Sequence, residues 1–135
     1  MALLTWHDSY SVKVKQFDNE HNKLIDLINQ LHDAMKVGKG KEAVEVVLTA
    51  LLGYTKTHFA AEEAMMRLYD YPDYERHKKE HNQLVMQVLD VHKNLREGNA
   101  PLSQAVMNFL KEWLVTHIQG EDKKYGPFLN AKGMA

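Results

Sequence analysis

The 135-residue chain has no cysteine, which excludes disulfide staples, thiolate zinc sites and iron–sulfur clusters. Imidazole and carboxylate remain as its strong metal ligands, a set that favours iron, zinc or manganese. Neither sign of charge dominates: 17 Lys and Arg are interspersed with 18 Asp and Glu, so no surface for nucleic acid or an anionic membrane stands out. No stretch of about eighteen apolar residues occurs, and Met1 to Lys15 alternates polar and apolar residues without the apolar run of a signal peptide. A soluble, cytoplasmic, monomeric protein without membrane insertion is expected. The length suits one domain spanning 1–135, with a single core. Strand signals are weak outside the N-terminal arm, and no internal repeat or low-complexity tract is present.

What the chain does contain is helical periodicity. After an arm over 1–18 carrying Trp6, Tyr10, Val12, Val14 and Phe17, Asp18-Asn19-Glu20 offers N-cap chemistry. His21, Leu24, Ile25, Ile28, Leu31 and Met35 then recur at helical spacing over about 19–37, and Gly38 stops the helix. The basic run from Lys36 to Lys41, broken by Gly38 and Gly40, reads as a solvated turn. A second helix, about 41–69, turns Val44, Val47, Leu48, Leu51, Leu52, Thr55, His58, Glu62 and Met65 or Met66 inward. Tyr71-Pro72-Asp73 breaks it, because the residue before a proline disfavours the α region and Asp73 can cap the next helix. That third helix, about 73–97, aligns His77, His81, Leu84, Val85, Val88 and Leu95 and ends at Gly98. Pro101 suits the first turn of a fourth, about 101–121, with Val106, Leu110, Trp113, Leu114 and His117 inward; Gly126-Pro127 closes it, leaving 123–135 as a tail. The expected fold is all-α, an antiparallel up-down-up-down four-helix bundle with an N-terminal arm.

Seven ionisable residues fall on the inward faces of these helices: His21, His58, Glu62, His77, His81, His117 and Asp122. Residues four apart lie about 40° apart around a helix, so His58 with Glu62 and His77 with His81 each form a two-pronged claw. In an antiparallel bundle the starts of helices one and three and the ends of helices two and four share one end, so every candidate converges there. Ionisable groups do not stay in a core without compensation. Seven donors exceed what one octahedral ion uses, and two divalent ions bridged by the carboxylates resolve both the count and the charge. Asp122, five residues past His117, lies about 140° round an ideal helix and reaches the site sideways where Gly120 loosens the turn. Glu63, about 100° from Glu62, reads as solvated.

DNEHNKL around His21, HFAAEE from His58, HKKEH from His77 to His81 and WLVTHIQGEDKKYGPFL at the end make the chain similar to the hemerythrin family, in particular the stand-alone bacterial hemerythrins. That resemblance covers nearly the whole chain. It implies a non-haem di-iron centre with an oxo or hydroxo bridge, in which His77, His81 and His117 hold one iron, His21 and His58 the other, and Glu62 and Asp122 bridge. The first iron is then full and the second keeps an open position for dioxygen. The implied function is reversible oxygen binding for transport, storage or delivery to an oxygen-using client enzyme, without catalysis. Sensing through a partner protein and scavenging of peroxide or nitric oxide are the alternatives.

Ligand type offers a physical reason for reversibility. Neutral imidazoles stabilise high-valent iron less than carboxylates do, and the Glu-x-x-His motif of oxygen-activating di-iron bundles is missing from this sequence. Ile25, Phe59, Trp113, Leu114 and Ile118 form an expected apolar oxygen pocket, with Leu114, one turn before His117, as a gate. SYSVKVKQF between Trp6 and the first helix departs from the plainest family pattern and brings Tyr10 within reach of the site. His32 and His92, each eleven residues beyond a candidate ligand, return to the same helix faces roughly 16 Å away and read as polar core or helix-end groups. His7 reads as exposed or packed on Trp6, and the methionines as core fillers.

Overall fold

The computed structural model describes residues 3–36, 41–98 and 104–135. Four long helices, α1 (Lys15–Lys36), α2 (Lys41–Leu68), α3 (Tyr74–Glu97) and α4 (Gln104–His117), run alternately up and down, α2 packing on α1 and α3 and α4 returning against α1. The described residues include no strand. The core is the apolar stripe that each helix turns inward: Leu24, Ile28 and Leu31 from α1, Leu48 and Leu51 from α2, Leu84 and Val88 from α3, and Met107, Leu110 and Leu114 from α4 are buried. Val106, expected inward, is only partly covered, and its neighbour Met107 is fully buried instead. The stop at Gly38, the turn through Gly40 and the start at Pro101 lie outside the described residues.

Three boundaries differ from those the sequence suggests. First, α1 begins at Lys15, so Asp18 is not an N-cap but sits inside the first turn. Its carboxylate reaches back instead, accepting from the Val12 amide at 2.8 Å and the Ser11 hydroxyl at 2.6 Å, and so ties the arm to the helix. Secondly, Asp73 occupies the N-cap position of α3 without a side-chain capping bond; the break before it is made by Asp70 in the left-handed region, φ 56°, which Asp tolerates better than most residues. Gly98 caps the other end of α3 with φ 74°, as a C-terminal glycine should.

Thirdly, residues after 122 are no loose tail. A π-helical turn, Ile118–Asp122, leads straight from α4 into α5 (Lys123–Ala131), with Pro127 inside it. Gly126 is not a terminator: a Cβ there would drive into the backbone carbonyl of Val12, so the glycine exists to let the arm lie against α5. Asn130 Nδ2 donates to the Lys13 carbonyl at 2.9 Å, and the Asn29 amide pairs with both backbone groups of Leu4, at 2.9 and 2.7 Å. The alternation of Tyr10, Val12 and Val14, all buried, thus belongs to a strap and not to a strand. Gly126→Ala is expected to destabilise the protein by about 1–3 kcal/mol, the usual effect of overpacking, and to free the arm for limited proteolysis ahead of global unfolding. Wild-type resistance of the arm in that variant would refute the contact.

Candidate metal centre

The seven residues meet at one end of the bundle, all buried. His21 comes from α1, His58 and Glu62 from α2, His77 and His81 from α3, His117 from the end of α4 and Asp122 from the end of the π turn. That turn corrects the expected sideways approach of Asp122. In a π turn five residues span the rotation that four span in an α-helix, so Asp122 stacks one turn beyond His117, their Oδ1 and Nε2 atoms 3.0 Å apart. The odd spacing of five was the visible sign of the inserted residue. Gly120 contributes no special conformation; a Cβ there would meet nothing within 4 Å.

The donor atoms divide into two groups, each with its atoms within 4.8 Å of one another: His77, His81 and His117 with Glu62 and Asp122, and His21 and His58 with the same two carboxylates. Each carboxylate is split between them. Glu62 Oε2 lies 3.1 Å from His21 Nε2 and 3.2 Å from His58 Nε2, while Oε1 lies 3.3 Å from His81 Nε2 and 3.7 Å from His77 Nε2. Asp122 Oδ2 lies 3.0 Å from His21 Nε2, and Oδ1 lies 2.8 Å from His77 Nε2. Glu62 Oε1, His77 Nε2 and Asp122 Oδ1 are buried without a hydrogen-bond partner; the last two are close neighbours that lack bonding geometry. Buried polar atoms are rarely left so, and two unpaired carboxylate oxygens beside an imidazole nitrogen that can give up its proton fit a cation.

Without a cation the site holds protons. Burial pushes the imidazoles down, yet the carboxylates of Asp122 and Glu62 outweigh it and raise His21 and His77 to about 10. His58, held chiefly by Glu62 and Glu20, rises to about 9 against the same burial. Burial likewise favours the neutral acids, but the imidazoles hold Glu62 and Asp122 well below the ordinary carboxylate range.

Three further carboxylates orient the ring nitrogens that face outward. His58 Nδ1–H donates to Glu20 at 2.6 Å, His81 Nδ1–H to Glu63 at 2.9 Å and His117 Nδ1–H to Glu80 at 3.4 Å. Each bond fixes the proton on Nδ1 and aims the Nε2 lone pair inward, the usual support of a metal-bound histidine. Glu63 is therefore not a solvated residue. The acid comes from the preceding helix in every case: α1 serves α2, α2 serves α3 and α3 serves α4. Each sits one residue from a candidate ligand, and 100° from the core direction points at a neighbouring helix.

Aromatic rings close the site on the side of the bundle core. Phe59 stacks on His81, centroids 3.7 Å apart and planes at 1°, and Trp113 stacks on His117 at 4.4 Å and 15°. One turn further in lies a cavity of about 30 Å³ lined by Leu24, Thr55, Phe59, Leu84, Trp113 and Leu114 among others; the Thr55 hydroxyl is already bonded to the Leu51 carbonyl at 2.7 Å, so the lining is effectively apolar. Of the expected pocket, Phe59, Trp113 and Leu114 line this cavity, while Ile25 and Ile118 are buried without lining it. Tyr10 packs with Trp6 and His7. The tyrosine that does reach the carboxylates is Tyr125 of α5, whose hydroxyl donates to Glu62 Oε2. At the far end, His92 pairs with Thr49 at 2.9 Å, and His32 keeps a buried Nδ1 without a partner.

Four helices around paired imidazole groups that share two carboxylates define a metal-binding four-helix-bundle protein. A family profile described as the hemerythrin HHE cation binding domain matches residues 12–129. The chain is 38% identical to a bacteriohemerythrin of Methylococcus capsulatus over 97% of this chain and 100% of that one, and 33% identical to a myohemerythrin of Theromyzon tessulatum over 89% and 88%. A crystal structure of wild-type hemerythrin superposes with a TM-score of 0.89 at 36% identity, covering 93% of this chain and 97% of that chain. The protein belongs to the hemerythrin family.

Proposed function

We propose that the protein binds dioxygen reversibly at two non-haem irons with an oxo or hydroxo bridge, His77, His81 and His117 on one ion, His21 and His58 on the other, and Glu62 and Asp122 shared. Oxygen binding is the family's function. The observation that carries this reading is the division of each carboxylate between a group of three imidazoles and a group of two. An ion held by His21 and His58 would have one imidazole fewer than its neighbour, which would leave that side of the site free for an incoming molecule. When bound, two ferrous ions supply electrons that dioxygen can take up and give back. The chain's own residues do the rest. Glu20, Glu63 and Glu80 hold the imidazoles in place, Phe59 and Trp113 exclude water with their ring faces, and the small cavity beside Leu114 receives a small apolar molecule better than a polar one. Leu114, between that cavity and His117, gates the approach. A protein of this kind carries or stores oxygen, or delivers it to an oxygen-using client.

The iron-loaded protein is expected to develop a visible charge-transfer band in air that vanishes under vacuum and returns on re-aeration over repeated cycles. A band that never returns, with the iron left oxidised, would overturn reversible carriage. Sustained turnover of peroxide or nitric oxide with a reductant would move the reading to an enzyme.

A further inference from the structure

Tyr125 is fully buried, its ring held edge-on by Phe17 with centroids 5.5 Å apart and resting 5.7 Å from His77. Its hydroxyl donates to Glu62 Oε2. That choice of oxygen matters, because Oε2 is the atom facing His21 and His58, while Oε1 faces His81 and His77 and receives no hydrogen bond. A donor on a carboxylate oxygen draws charge from it, and in a dry interior the effect is not averaged away by water. The two seats for metal are thus made unequal twice over: one has fewer imidazoles, and the same one receives the weaker carboxylate oxygen.

We propose that Tyr125 is a positioning residue that acts through Glu62 to weaken charge donation to the ion at the His21–His58 seat alone, so that this ion favours its lower oxidation state and gives up what it has bound. The phenol bonds to Glu62 and belongs to neither group of donor atoms. Its influence is confined to one seat because the hydrogen bond is confined to one oxygen. The inference rests on the proposed pair of ions.

Tyr125→Phe keeps the ring and its contacts with Phe17 and His77 while removing the donor. Zinc, which carries no redox chemistry, reports the affinity of each seat in the metal-free protein by calorimetry. The weaker of two zinc-binding steps is expected to tighten about tenfold in the variant, the scale of one charge-assisted hydrogen bond, with the stronger step unchanged. In the iron-loaded variant one of the two reduction potentials should fall and the other stay. Incorporating 3-fluorotyrosine at 125, a stronger donor, should shift the weaker step in the opposite sense. Equal changes in both steps, no change in either, or loss of the weaker step would overturn the assignment of Tyr125. A single zinc-binding event in the wild-type protein would instead overturn the pair of ions itself.

Discussion

Asp122→Ala is expected to cost the protein at least one of the two metal ions proposed for it. Asp122 is the shared neighbour of His21, His77 and His117, at 3.0, 2.8 and 3.0 Å, so its removal takes a ligand from both seats and the counter-charge from three buried imidazoles. Breaking a buried charge cluster by deleting one member typically costs about 3–5 kcal/mol. The metal-free variant should therefore also unfold at lower denaturant concentration. Asp122→Asn, which keeps the shape and loses the charge, should fold better than the alanine variant while binding metal poorly. Metal content per chain, read with a urea titration of the metal-free form, checks both halves of the expectation. An alanine variant that held two ions with an unaltered visible spectrum would remove Asp122 from the bridge.

The second large effect is the dependence of the metal-free protein on pH. His21 and His77 at about 10 and His58 at about 9 stand above their ordinary 6.5. The stability they contribute is therefore complete below about pH 6.5 and is lost as pH rises through 9 to 10. Glu62 and Asp122, held low, contribute in the other direction: their share is present above their ordinary values of 4.5 and 3.8 and fades as pH falls towards the depressed ones. The metal-free protein should be most stable between roughly pH 4.5 and 6.5, where both contributions are complete, and should lose stability on either side. A cation must displace the imidazole protons, so binding releases protons and the apparent affinity climbs with pH. Calorimetry in buffers of differing ionisation heat measures that release directly, and metal uptake without proton release near pH 7 would contradict charged imidazoles in the metal-free site. Metal binding in turn should raise stability by about 4 kcal/mol at a thousandfold excess over Kd.

The bundle and the donor set were legible because both members of each claw lie on one helix, where spacing alone fixes direction: His58 with Glu62 and His77 with His81 need no knowledge of the rest of the fold. The spacing of five between His117 and Asp122 was visible too, but its meaning required the π turn. What stayed hidden depends on neighbours. Glu63 looks solvated on its own helix, Glu20 looks like part of a helix start and Glu80 carries no signal of its own; only the adjacent helix supplies the imidazole that each one binds. Tyr125 was obscured by Gly126-Pro127, a pair that ordinarily ends a helix; here the glycine serves the close approach of Val12, and α5 runs on through Pro127 to Ala131. Asp122 and Tyr125, three apart, share a face of that continuation, which is the one local sign a reader of the sequence could have used.

The hand-over of carboxylates from each helix to the next has a consequence for assembly. No two helices alone hold a complete seat: the three-imidazole group draws on α2, α3, α4 and the turn beyond α4, and the other on α1, α2 and that same turn. A fragment, or a chain with one helix slipped by a turn, would present loosely swinging rings in place of a seat. Cation uptake by this chain should consequently register completion of the whole bundle, appearing late in refolding, once the turn beyond α4 has brought Asp122 against the imidazoles.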